Sequence, residues 1–166
     1  MSLELKTLPT DIIHTVEEYP EFNFDTNEEF NLIFYTMNRK NCSLRFRTFS
    51  NNPTECVLDE FNCKPRSPGE GRKLLLDVLN AFKNEKPLLQ TISLIVLSKL
   101  ELINYYYKLG FTQDIYNPNY MEGNINNIIK SIQNNFRSGG KSKTRKVRNR
   151  KSKNKKNSKI LSTFIK

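Results

Sequence analysis

Glu55-Cys56-Val57-Leu58-Asp59-Glu60-Phe61-Asn62-Cys63 runs through Lys64-Pro65-Arg66-Ser67-Pro68 into Gly69-Glu70-Gly71-Arg72-Lys73-Leu74-Leu75. The period of the chain changes inside this stretch. Up to Cys63 it reads as a strand, with side chains alternating between two faces. Strict alternation puts Cys56, Leu58, Glu60 and Asn62 on one face and Val57, Asp59, Phe61 and Cys63 on the other. Beyond Lys64, residues Leu74, Leu75, Val78, Leu79 and Phe82 recur at helical spacing, which predicts an amphipathic helix over 71–84. Two glycines sit where the strand gives way to the helix. A helix start has unpaired N–H groups and the positive end of a dipole, and glycine lets a ligand approach the backbone closely. Together these make an anion-binding turn, although a glycine pair alone also serves as a plain connector.

Upstream, Asn31–Met37 and Cys42–Phe49 alternate as strands, separated by Arg39-Lys40-Asn41 and followed by the turn Asn51-Asn52-Pro53. The segment Thr10–Glu17 reads as a helix, with Thr10 as cap, Ile12, Ile13 and Val16 on one face, and Pro20 as its end. Downstream come an apolar strand at Thr91–Leu97 and a helix at Leu100–Lys108 closed by Gly110. Phe111–Ile115 and Met121–Asn124 are short strand candidates, and Asn124–Phe136 is a helix with a stripe of Ile125, Ile128, Ile129 and Ile132. Hairpins followed by a strand–helix–strand unit give an α+β fold: a mixed, mainly antiparallel twisted sheet flanked by helices, over 1–136.

Two motifs in this order are more specific than either alone. Arg66-x-x-Gly69-x-Gly71 between strand and helix resembles the pyrophosphate loop of the GNAT superfamily of N-acetyltransferases. Tyr105-Tyr106-Tyr107-Lys108-Leu109-Gly110-Phe111 resembles the aromatic–Tyr–x–x–Leu–Gly–Phe signature of the same family. The resemblance covers about a third of the chain. It implies an acyl-CoA-dependent transferase with acetyl-CoA as co-substrate, no metal, and a primary amine as acceptor. The thioester arm would lie where strands 55–63 and 91–97 diverge, against the backbone near Phe61 and Cys63. Arg66 and the amides of Ser67, Gly69, Glu70, Gly71 and Arg72 would hold the pyrophosphate. Tyr106 would protonate the departing thiolate. Glu60 or Asp59 would take the proton of the amine, with Glu60 favoured, since alternation lets only one of them face the cleft. Pro68, which lacks an N–H, Glu70 between the glycines, and Lys99 in place of a frequent asparagine depart from the family pattern. They motivate the alternative of a catalytically silent binding module.

Charge divides the chain. Residues 137–166 carry 13 Lys or Arg and no acid, so the overall +10 belongs to this tail, and 1–136 is near −3. Lys141–Lys156 has one apolar residue, Val147, too few to build a core. Such a run suits salt-dependent, sequence-independent nucleic-acid binding or a nuclear address. Ser138-Gly139-Gly140 marks the boundary. No apolar run approaches the roughly 20 residues of a membrane span. The three cysteines, Cys42, Cys56 and Cys63, lack metal-ligand spacing and suggest reduced, buried thiols in an intracellular protein. His14, the only histidine, has no nucleophile beside it in sequence. The scarcity of alanine against Asn and Lys fits an AT-rich genome, such as that of a large DNA virus.

Overall fold

The computed structural model describes residues 3–23, 25–64, 69–97 and 99–139, with side chains as far as residue 135. Residues 65–68 and the basic tail from 140 lie outside the described residues.

Seven strands form one sheet in the order β1-β2-β3-β4-β5-β7-β6. They are β1 (Ile13–Asn23), β2 (Glu28–Arg39), β3 (Cys42–Phe49), β4 (Glu55–Cys63), β5 (Thr91–Ile95), β6 (Thr112–Gln113) and β7 (Tyr120–Asn124). The helices are α1 (Glu70–Glu85), α2 (Leu100–Leu109) and α3 (Ile125–Gly139). Among the described strands only β4 and β5 run parallel, joined through α1. The α+β reading holds.

From Ile13 on, the segment read as a helix at 10–17 is instead the start of β1, an edge strand paired along its length with β2. Ile12, Ile13, Thr15 and Val16 are β-branched, and that preference prevails over the helical spacing of three of them. Pro20 is tolerated because an edge strand leaves one row of N–H groups unpaired. Arg39 likewise belongs to β2, so the turn is Lys40-Asn41, with Lys40 at φ 49°.

The core lies on one face of the sheet. Tyr35, Met37, Leu44, Phe46, Cys56 and Leu58 meet Leu74, Leu75, Val78, Leu79 and Phe82 of α1. Phe82 sets its edge against both Tyr35 and Phe46, at 5.3 and 5.2 Å between centroids. The isoleucine stripe of α3 is buried as its periodicity predicts, and α3 touches both α1 and α2. Arg39, 2 % exposed, is held by Asp77 at 2.6 Å and Asp11 at 2.9 Å. Burial opposes its charge, but the two carboxylates outweigh burial and raise its pKa. Removing one partner of a buried pair strands the other. Asp77→Ala should therefore cost about 3 kcal/mol of stability, measured by denaturant unfolding. An unchanged midpoint would show that Asp11 alone suffices.

The opposite face carries no described helix. Register places Phe34 and Thr36 of β2, Arg45 and Arg47 of β3, and Val57 of β4 on it. Arg45 lies over the Phe34 ring at 4.4 Å, and Arg47 pairs with Asp59 at 3.0 Å.

Candidate functional site

One extra residue in β4 organises the site. Phe46 pairs with Leu58, yet Arg45 pairs with Glu60, so Asp59 is inserted as a bulge. A bulge displaces the phase of its strand. Asp59 continues the helix-free face of Val57, and Glu60 lies beside Arg45 on that same face. This corrects the strict alternation expected from sequence: the two carboxylates are neighbours on one face, and Phe61 and Cys63 turn to the helices. Asp59 also pairs with Arg47. Its pKa is raised, chiefly by desolvation, with Arg47 and Arg45 opposing.

The same shift creates a disulfide. In the register of the first half of the hairpin, Cys42 would face Asn62. The inserted residue advances β4 and brings Cys63 opposite Cys42, and the two are bonded. The expectation of three reduced thiols is thereby corrected. Cys56 alone is free; it is buried, and burial pushes its thiol pKa up, which keeps it protonated and unreactive.

β4 and β5 pair only over Glu55–Val57 and Thr91–Ser93, then separate. Beyond Val57 no described strand pairs with the β5-facing edge of β4, so the peptide groups there face the opening. Helix α1 starts at the far end of this opening. Gly69 takes φ 79°, a left-handed conformation that disfavours any side chain, and no side-chain hydrogen bond caps the helix. Lys73 N–H donates to the Gly69 carbonyl, which places the amides of Glu70 and Gly71 ahead of the first intrahelical bond, in a turn that no side chain caps. A Cβ on Gly71 would come within 2.7 Å of Cys63 Sγ and 2.8 Å of the Phe61 ring. Glycine is therefore required by β4 itself. Glu70 is drawn to Lys40, 3.4 Å away, which offsets a carboxylate otherwise unfavourable beside phosphate. Sequence reading gave Lys40 no such part; the contact depends on the β2–β3 turn reaching α1.

Tyrosines of α2 close the opening from the other side. Tyr105 lies 6.1 Å from Phe61 across the gap, and Tyr106 sets its edge against Tyr105 at 5.4 Å and Phe111 at 5.6 Å. Burial, and then the neighbouring Tyr105, push the Tyr106 hydroxyl up to about 12. Gly110 ends α2 at φ 97° as the sequence predicts. A third group was not foreseen. At the closed end, Glu55 accepts hydrogen bonds from Ser93 at 3.2 Å and Tyr120 at 3.4 Å. β7, which supplies Tyr120, is longer than its weak sequence signal suggested.

Of the residues singled out from sequence, the structure gathers Glu60, Phe61, Cys63, Gly69, Glu70, Gly71, Arg72 and Tyr106 around one opening. Arg66 and Ser67 lie outside the described residues. Among the described residues no cluster of His, Cys, Asp and Glu could hold a metal ion, and no helix is long and apolar enough to cross a membrane.

No family model and no curated protein matches the chain. Solved structures do resemble it. They include the PaiA N-acetyltransferase from Thermoplasma acidophilum in complex with coenzyme A, at 19 % identity and TM-score 0.45, covering 56 % of this chain and 60 % of that one. Tetrahymena GCN5 matches at 14 % identity and TM-score 0.42, covering 58 % and 68 %. Nourseothricin acetyltransferase matches at 13 % identity and TM-score 0.43, covering 70 % and 99 %. The chain spans about three fifths of the length of the first of these.

Proposed function

We propose that this chain is an acyl-CoA-dependent N-acetyltransferase that moves an acetyl group from acetyl-CoA to a primary amine. The observation that carries the reading is the opening between β4 and β5, with an uncapped helix N-terminus at one end and two tyrosines across it. Free peptide groups along β4 suit the amide-bearing pantetheine arm. The first-turn amides of α1 suit pyrophosphate. Arg66 and Ser67, in the preceding loop, belong to the same assignment.

Direct attack of an amine on a thioester needs no enzyme nucleophile. The protein must orient the reactants, polarise the carbonyl and move protons. Tyr106 keeps its proton at neutral pH and is the donor assigned to the departing sulfur. Glu60 is assigned as the base because Asp59 is engaged by Arg47. Glu60→Gln should lower kcat at least about tenfold, with a smaller loss for Asp59→Asn. Equal kcat in wild type and Glu60→Gln would remove Glu60 from the mechanism. Because the Asp59 carboxyl is raised, its charge forms at higher pH than usual. Any part it takes as base therefore appears as a rate rising above the ordinary carboxylate range.

The test of the reading is calorimetric titration of acetyl-CoA into the full chain. About 0.3 M salt would screen attraction between the tail and the CoA phosphates. Saturable micromolar binding is expected, with none to a peptide of residues 140–166 alone. No binding at millimolar ligand would favour a silent module whose basic segment, 141–156, is its working part through nucleic acid.

A further inference from the structure

The helix-free face of the sheet is unpartnered among the described residues, and it surrounds the opening where the acceptor must arrive. Register puts Glu17, Glu21, Glu55, Asp59, Glu60 and Glu122 on this face, against Arg45 and Arg47. Asp59 offsets Arg47, and Arg45 rests on Phe34. The face is thus acidic where it borders the gap, and it suits a cationic occupant. The same chain supplies one. Residues 141–156 contain seven lysines, three arginines and no acid.

Reach favours this occupant. The described part ends at Gly139, and Lys156 lies 17 residues on. At up to about 3.5 Å per residue that is about 60 Å of chain. A body of this size is roughly 40 Å across, from a radius of gyration near 14 Å. Lys155 and Lys156, 16 and 17 residues beyond Gly139, have about 56 to 60 Å of chain, close to half the circumference of such a body, whereas Lys146 has about 25 Å and falls short. Tethering also holds these amines near millimolar effective concentration, which a free acceptor must match.

We infer that lysines at the far end of residues 141–156, Lys155 and Lys156 first among them, are acceptors of the chain's own acetyl transfer, docked on the acidic sheet face. The inference rests on the acetyltransferase reading above. A neutral lysine Nε forms a bond to the thioester carbonyl carbon as the carbon–sulfur bond breaks. The nitrogen loses its extra proton to the carboxylate side, and the sulfur leaves as thiolate and takes a proton. Each turnover exchanges an ammonium for a neutral amide, so the tail loses its attraction to the face as it is modified, and the reaction limits itself.

The test is incubation of the full chain with acetyl-CoA, followed by intact-mass measurement and peptide mapping. A short capped lysine peptide is offered in parallel as a free acceptor. The expected result is stepwise acetylation starting at the far end of 141–156, first order in chain, with a half-life independent of chain concentration. Glu17→Lys with Glu21→Lys should slow tail acetylation about fivefold at low salt without changing transfer to the capped peptide. Acetylation of the capped peptide with an unmodified tail would overturn the inference and leave the acetyltransferase reading standing. Modification of neither, with no saturable acetyl-CoA binding, would sink both. A tail acetylated equally in Gly71→Glu would be a product of uncatalysed chemistry, and a half-life that shortens as chain concentration rises would show transfer between copies. Either result overturns docking within the chain.

Discussion

Gly71→Glu is expected to weaken acetyl-CoA binding at least about 100-fold, a loss near 2.7 kcal/mol. Two effects combine. A Cβ at this position meets Cys63 Sγ at 2.7 Å and Phe61 ring atoms at 2.8 and 2.9 Å. Neither neighbour can easily yield, because Cys63 is bonded to Cys42 and Phe61 is backed by Tyr105. The first turn of α1 must move outward, and its amides lose their aim. The added carboxylate then opposes the phosphates at a helix end that favours anions. Gly71→Ala separates the two, since it carries the clash without the charge and should retain part of the affinity. Thermal unfolding of both variants shows whether the fold survives. Wild-type affinity in folded Gly71→Glu would remove the α1 N-terminus from the site.

Tyr106→Phe should lower kcat about 100-fold and leave the KM for acetyl-CoA nearly unchanged. The substitution keeps the ring, and with it the edge contacts to Tyr105 and Phe111. It removes only the proton. Because the hydroxyl is pushed up to about 12, it stays protonated through the working range, and the wild-type rate should rise from acid and stay level past pH 9. A basic limb well below 12 would contradict this assignment. Tyr105→Phe is the paired control. Should that variant take the larger kcat loss, the donor is the tyrosine that spans the gap to Phe61.

The parts legible in sequence were those fixed by local signals. β3 and β4 begin and end where turn residues and alternation place them, and α1, α2 and α3 follow their apolar periods closely. Gly110 could be read as a helix stop because a left-handed residue there has few alternatives to glycine. The misreadings share a cause. In Thr10–Glu17, apolar residues spaced three apart fit a helix, while β-branching favours a strand, and the pairing with β2 decided between them. The bulge at Asp59 depends on which β3 residues lie opposite, and no single strand contains that information. The Cys42–Cys63 bond, the shared face of Asp59 and Glu60, and the seat of Phe61 under Gly71 all depend on it, so they were hidden for one reason.

The bulge also sets how this protein can tolerate length changes. Asp59 acts as a frame marker, because everything after it in β4 is read one position out of step with what comes before. A substitution at Asp59 alters one carboxylate. Deleting its codon would remove the bulge and restore plain alternation, with Glu60 still opposite Arg45, Phe61 opposite Leu44 and Cys63 opposite Cys42. The strand can therefore shed that one position and keep the partner of every residue after it.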